Sequence, residues 1–225
     1  MYQPVHFSAP SPQAIDALVA QYPLAQLIST DSQGQWQCNP IPLLARGPVA
    51  SGGVLIGHVA RANPLWQHAG QVLAIFTGPQ AYITPNAYPS KSEHHRVVPT
   101  YNYATVQVRG ELISHADRDT KHAVVAALTH GFEQGEPAPW SVTDAPEDFI
   151  EANLNAIVAI EIRIESVDAK FKLSQNKSEA DRLGVMKHLA QAPADSSQAH
   201  NQAPMLKLMR AIEDNDPSIT NNQEA

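Results

Sequence analysis

Three short stretches gather side chains able to hold a charged or hydrogen-bonding ligand. In GHVARANPLW, residues 57–66, a strand pattern stops, Arg61 and Asn63 follow, and Pro64 suits the first position of a helical turn. A cation beside free helix N–H groups makes a phosphate site. The same residues equally make an ordinary cap with a solvent-facing Arg. In GPQAYITPNAYPSKSEHHRVVPTYNY, residues 78–103, Lys91 and Arg96 are cations and Thr100 and Asn102 are hydrogen-bonding groups. Tyr82, Tyr88, Tyr101 and Tyr103 add flat rings. The stretch from Arg96 reads as a turn that opens into a strand, so its polar residues serve either turn chemistry or a small polar ligand. In KFKLSQNKS, residues 170–178, Lys172, Ser174, Gln175, Asn176 and Lys177 follow a strand, where polar residues also form ordinary loops.

Other chemistries find no pattern. The sequence has no Gly-x-Ser-x-Gly elbow, P-loop, Gly-x-Gly-x-x-Gly or His-Glu-x-x-His. Of ten histidines only His94 and His95 are adjacent, without a carboxylate or Cys at ligand spacing, so surface histidines are expected rather than a metal site. Cys38 is the one cysteine; it excludes an intrachain disulfide and reads as a core residue of a strand.

The elements that must position these groups sit in a chain of 225 residues, room for one large domain or two small ones. A chain of this size buries roughly 70% of its unfolded surface and needs no covalent staples. Hydrophobic content of 43% and charged content of 16% fit a globular protein, and 18 prolines argue for many turns and a β-rich fold. The opening MYQPVHFSAPSP lacks a basic region followed by an apolar run, and runs such as AIVAI are far too short to span a bilayer. A cytoplasmic protein without membrane partners is therefore expected. The net charge of −7 argues against a surface that grips DNA all over. The most basic segment is 170–188, with Lys170, Lys172, Lys177, Arg182 and Lys187 against Glu179 and Asp181.

Helical spacing over 11–23 predicts a helix capped by Ser11, then a strand at 24–30, a hairpin turn, and a partner strand at 36–44. Pro40 and Pro42 make that partner an edge strand or end it early. Strands follow at 52–60 and 71–78 around a short helical segment, and AYITP pairs next. Residues 85–99 read as a loop. A long strand at 103–115 has a bulge at Gly110, and Asp117 caps a helix to Phe132. Asp144 and Glu147 form a capping box for the next helix. Residues 156–173 are strongly β, with Ile160, Ile162 and Ile164 on one face. A Ser-capped helix starts after 177, a low-complexity linker covers 191–203, and one last helix precedes the end. Six or seven mostly antiparallel strands with a few helices suit a barrel or sandwich.

MYQPVHF, GHVARANPLW, FTGPQAYITP, VPTYNYATVQVRG and KLSQNKSEADRLGVMKHL fall in order from Met1 to about Leu189. Together they resemble one family, the PaiB-like FMN-binding negative transcriptional regulators. In that family the loop reads Trp-Tyr and then Thr-Trp-Asn-Tyr; here Ala87 precedes Tyr88, and Tyr101 stands in place of the second Trp. The resemblance implies a mainly β, α+β fold of the FMN-binding split β-barrel type, as in pyridoxamine-phosphate oxidases. It implies a homodimer with FMN in the crevice between subunits. Residues 1–190 are then the split-barrel domain, and 191–225 a linker with a C-terminal helix and tail.

Within the matching motifs, Arg61, Lys91 and Thr100 suit the phosphate of FMN. Asn63, Asn102 and Gln175 suit the ribityl chain, and Tyr103 and Val59 a wall for the ring. Lys172, Ser174 and Asn176 complete the expected cofactor-binding set; no catalytic residue and no metal ligand is expected. The family resemblance implies a transcriptional repressor. With that role the resemblance implies DNA as a partner, with local support only from segment 170–188, since no helix-turn-helix pattern stands out. The rival is an enzyme on the same barrel, a flavin-dependent oxidoreductase or a haem-degrading protein, and a third reading is a barrel that has lost its cofactor.

Overall fold

Helix α1 (Pro12–Gln21) begins where expected, with Ser11 Oγ accepting from the Ala14 N–H at 3.1 Å. The computed structural model describes residues 1–68, 70–191 and 199–214. After α1 come strands β1 (Leu24–Thr30), β2 (Trp36–Pro42), β3 (Leu44–Arg46), β4 (Val54–Ala60) and β5 (Gly70–Ile83). The short helix α2 (Lys91–His94) follows, then strand β6 (Thr100–His115), helix α3 (Arg118–Glu133) and helix α4 (Glu147–Asn155). Strand β7 (Ile157–Lys172) and helices α5 (Glu179–Ala190) and α6 (Ala199–Glu213) complete the order. The seven strands form one sheet in the order β2-β1-β5-β6-β7-β4-β3, the mainly β class with flanking helices that was expected.

Two compact units share these strands. One comprises Met1–Leu18, Thr77–Val106 and the chain from Asp168 onward; the other comprises Val19–Phe76 and Gln107–Val167. In the second unit β1 pairs antiparallel with β2 from Leu24↔Pro42 to Thr30↔Trp36. Strand β2 lies at the sheet edge, where the missing N–H groups of Pro40 and Pro42 cost no ladder bond. Strand β4 pairs antiparallel with β7, with Ile56 opposite Glu161 and Val59 opposite Val158. Ile56, Ala159, Val124 and Leu128 form a core cluster there, so the apolar stripe of α3 closes over β4. In the first unit Phe7, Leu18, Ile83, Ala104, Phe171, Val185, Leu189 and Met205 are buried, and α5 packs on α6.

Several local expectations change. Residues 71–78 and AYITP are not two strands but one, β5, which runs through Gly78 and Pro79. Its in–out alternation shifts phase there: Val72, Ala74 and Phe76 are buried before it, Ala81 and Ile83 after it. Thr100 to Tyr103 belong to β6 itself rather than to a turn before it. Gly110 marks a close approach, since a Cβ there would stand 2.1 Å from the Arg163 carbonyl oxygen. Asp144 completes a capping box with Ser141 around a single 3-10 turn, and α4 starts after Pro146 without a side-chain cap. Cys38 is exposed on the edge strand rather than buried. Of the expected linker and tail, residues 192–198 and 215–225 lie outside the described residues.

Candidate functional site

In the first unit β7 delivers two lysines and then bends sharply. Two residues apart, they share a face of the strand but not their surroundings. Lys170 is buried: its Nζ donates to the Tyr2 carbonyl oxygen at 3.1 Å and lies 5.4 Å from the Tyr2 ring, 5.9 Å from Phe7 and 5.6 Å from Tyr103. These cation–π contacts settle the charge of Lys170 inside the unit. The chain turns at Ser174, whose φ of 69° is in the left-handed region that non-glycine residues rarely adopt. The Lys177 N–H donates to the Ser174 carbonyl at 2.9 Å, and Ser178 Oγ accepts from the Asp181 N–H to start α5. Such a backbone persists only where its surroundings hold it. Here Asn102 does so: it is fully buried in β6, its Nδ2 donates to Ser174 Oγ at 3.0 Å, and the same hydroxyl lies 3.2 Å from Oδ1.

The bend and the start of β6 enclose a cleft of about 180 Å³. Thr100, Asn102, Lys172, Ser174 and Asn176, all expected site residues, line it together with Lys177 and Tyr88. Lys172 Nζ donates to Thr100 Oγ1 and to the Tyr101 carbonyl oxygen. Burial lowers its pKa below the usual lysine range, and the charges of Lys170 and Lys177 add to the shift. Lys177 Nζ stands 5.2 Å over the Tyr88 ring. Among the described residues neither Lys172 nor Lys177 is paired with a carboxylate within 4.0 Å. Tyr88 is 2% exposed, and its hydroxyl has no hydrogen-bond partner among the described residues. Burial first, and the charge of Asp181 second, raise its pKa.

Other expected site residues stand differently. Gln175 turns back on its own bend, accepting from the Leu173 N–H at 2.7 Å and donating to the Phe171 carbonyl, so its amide braces the backbone. Tyr103 presents its ring to Lys170. Lys91 lines a separate cleft with α5 and bonds Asn86 Oδ1. Arg61 and Asn63 belong to the second unit. There the Arg61 Nε donates to the Asn155 carbonyl at 2.8 Å, and its backbone N–H to Ala156 at 2.8 Å. Asn63 Nδ2 donates to Asn39 Oδ1 at 2.9 Å, while Asn63 Oδ1 accepts from the Leu65 N–H at 3.0 Å. The N–H groups of Arg61, Asn63 and Leu65 are thus bonded within the unit, as in an ordinary cap.

The basic segment 170–188 is less of a surface than its composition suggests. Lys170 is buried, Lys172 faces the cleft, and Arg182 pairs with Glu213 and donates to the Lys177 carbonyl at 2.9 Å. Sequence reasoning named Lys177 and Tyr88 in the ligand-capable stretches but left them out of the expected cofactor-binding set. Lys177 was legible inside KLSQNKS, whereas no spacing signals that a tyrosine hydroxyl 89 positions earlier ends up buried beneath it. Among the described residues no group of three His, Cys, Asp or Glu is arranged to hold a metal, and no helix is long and apolar enough to cross a membrane.

Comparison with known proteins shows the family and the fold. A family model described as "Putative FMN-binding domain" matches residues 1–166. An uncharacterized protein of Aspergillus fumigatus is 35% identical over 171 residues, covering 60% of this chain and 65% of that protein, a little under two thirds of its length. The protease synthase and sporulation protein PAI 2 of Bacillus subtilis is 28% identical over 192 residues, 84% of this chain and 89% of that one. Among solved structures, the FAD and heme binding protein from Mycobacterium smegmatis superposes with a TM-score of 0.56 at 16% identity, covering 78% of each chain. At that identity the likeness is one of fold.

Proposed function

The chain belongs to the FMN-binding domain family, with its split-barrel fold, and on that premise we propose that it grips the FMN phosphate at the cleft between the start of β6 and the bend after β7. We propose further that it acts as a homodimeric transcriptional regulator. The observation that carries the cofactor site is the donor set: Lys172 and Lys177, the hydroxyls of Thr100 and Ser174, and the Asn176 amide line one small cleft without a carboxylate. A phosphate dianion needs such a set, with cations for charge and hydroxyls for its oxygens. It also supplies what the lysines lack, since a bound dianion offsets the burial and mutual repulsion that lower the Lys172 pKa. The unpartnered Tyr88 hydroxyl is the kind of buried polar atom that a ligand oxygen satisfies.

The cleft is too small for a whole flavin, because sites for molecules of that size run to roughly 300–1,000 Å³. It takes the phosphate and the adjoining ribityl carbons. Tyr101 and Tyr82, both exposed and in edge-to-face contact with ring centroids 5.7 Å apart, are candidates in this unit for an aromatic wall. When bound, FMN supplies a redox-active ring; the residues named here bind and orient it. The dimer and the regulatory role rest on the resemblance of five ordered motifs and on the similarity to PAI 2 over most of both chains. Segment 170–188 adds little to a DNA face, because Lys170 is enclosed by rings, Lys172 and Lys177 line the cofactor cleft, Arg182 pairs with Glu213, and Lys187 lines the separate cleft beside α5.

The visible spectrum of freshly purified protein tests the cofactor directly. A flavin spectrum that disappears in Lys172→Gln, with folding intact, is the expected result; a colourless protein that takes up no added FMN removes the reading. Sedimentation then reports the dimer. Salt-dependent binding to duplex DNA without turnover of reduced nicotinamide supports the regulator, and turnover without DNA binding replaces it with the oxidoreductase.

A further inference from the structure

On the far side of Tyr88 lies a second and larger cleft, about 600 Å³, between segment 86–95 and α5. Its two walls carry basic groups that nothing above employs. Lys91 and His95 come from the loop, Lys187 and His188 from the last turns of α5. No carboxylate lines it among the described residues, in a chain whose net charge is −7. The nearest polar partner of Lys91 is a neutral amide, Asn86 Oδ1. Acidic proteins normally scatter carboxylates among surface lysines, so a concave, carboxylate-free patch of this size concentrates positive potential.

The shape of the cleft is fixed by backbone. At Gly184 α5 comes so close to the loop that a Cβ would stand 2.4 Å from the Ala87 carbonyl oxygen. Ser90 tethers the same loop to α5, its N–H donating to Asp181 Oδ1 at 3.1 Å and its hydroxyl to Oδ2 at 2.8 Å. The loop is thus held as one rigid wall, and the buried Tyr88, with its unpartnered hydroxyl, lines this cleft as well. Two cationic walls, a preset width and a volume in the small-molecule range together describe a binding site rather than a solvated face.

We propose that this cleft binds a small organic anion carrying at least two phosphate groups, one facing Lys91 and His95 and the other Lys187 and His188. It is an effector site that borders the cofactor cleft through Tyr88, and the argument for it does not depend on FMN. A single phosphate would leave one wall unmatched. A DNA backbone is disfavoured because the charges line a recess instead of a projecting ridge.

Calorimetric titration of the full-length dimer or monomer with inorganic pyrophosphate tests this, beside sulfate at matched ionic strength. Expected are one pyrophosphate site per chain, much weaker sulfate binding, and a loss of at least roughly tenfold in Lys187→Gln/His188→Gln. Both substituted side chains are exposed, so the variant retains its fold, and its FMN content stays at the wild-type level. Absence of pyrophosphate binding overturns the proposal, as does binding that the variant leaves unchanged. Pyrophosphate that displaces FMN and is weakened by Lys172→Gln instead is reading the cofactor cleft, which also overturns it. So does a variant that loses affinity for duplex DNA when pyrophosphate does not bind. A protein that takes up no FMN yet binds pyrophosphate through Lys187 and His188 defeats the cofactor reading and leaves this one standing.

Discussion

At the end of β4 Arg61 has its guanidinium on the Asn155 carbonyl, and the neighbouring N–H groups of Arg61, Asn63 and Leu65 all find acceptors within their own unit. At the end of β7 Lys172 reaches Thr100 and Tyr101 but no carboxylate, and a second lysine, a strained serine and an orphan tyrosine hydroxyl share its cleft. Both regions are strand ends followed by polar residues. The first has satisfied these donors with backbone carbonyls and side-chain amide oxygens of its own unit. The second has left charge and one hydroxyl unmatched. Unmatched buried polar groups cost stability, so a fold that keeps them is a better place to look for a ligand than a corner already closed on itself.

The contrast is broken most directly by removing both free lysines of the bend. Each charge-assisted contact is worth about 1.5–3 kcal/mol, so Lys172→Gln/Lys177→Gln should lower FMN affinity by roughly a hundredfold or more, with riboflavin affinity nearly unchanged. Fluorescence titration of both flavins reads the difference, and equal losses for the two would remove the phosphate from this cleft.

Loss of the brace should come next. Asn102→Ala removes the tie that holds Ser174 in its left-handed backbone, and about 2–3 kcal/mol of stability with it. Urea unfolding gives the number. A cost below about 0.5 kcal/mol would mean that the bend holds itself.

Tyr88→Phe should move the other way. The missing hydroxyl no longer needs a partner, so the ligand-free protein should gain on the order of 1 kcal/mol and melt a few degrees higher. A lower melting temperature would show that the hydroxyl is in fact satisfied.

The affinity for FMN should also depend on pH through Lys172. Phosphate binding needs the charged amine, and its pKa in the free protein is depressed by burial and by Lys170 and Lys177. Above the second phosphate pKa of about 6, affinity is then full below the Lys172 pKa and falls as pH rises through it, starting below the ordinary lysine value of 10.5. In Lys172→Gln this alkaline fall should vanish. If it persists there, another group titrates.

The smallest effect belongs to the other corner. Arg61→Ala removes an exposed side chain bonded to carbonyls of its own unit, so FMN affinity should change by no more than about twofold. A loss of tenfold or more would reverse the comparison and return the phosphate to Arg61.

Periodicity alone determined most of the elements. Apolar spacing gave α1, β1, β6, α3 and β7 to within a few residues, because alternation and the 3.6-residue repeat are set by which side chains avoid water. Local chemistry located the cap at Asp117, which accepts from Thr120 at 2.9 Å, and the cap at Ser178. Five motifs in order carried the family. Sequence could also nominate Thr100, Asn102, Lys172, Ser174 and Asn176, since their types suit a phosphate and a sugar alcohol.

What it could not do was say which polar groups remain available. Gln175 and Arg61 are chemically able to meet a ligand, yet the Gln175 amide braces its own bend and Arg61 Nε is bonded to the Asn155 carbonyl. Gly78 and Pro79 look like a strand end and instead lie within β5, because burial on both sides carries the pairing through them. The pairing of Lys177 with Tyr88, and the basic cleft beyond it, join segments 89 or more positions apart. Local spacing fixes what a side chain is able to bond. Only the tertiary structure, by bringing distant donors and acceptors to within 3 Å or keeping them apart, decides what is left over for a ligand.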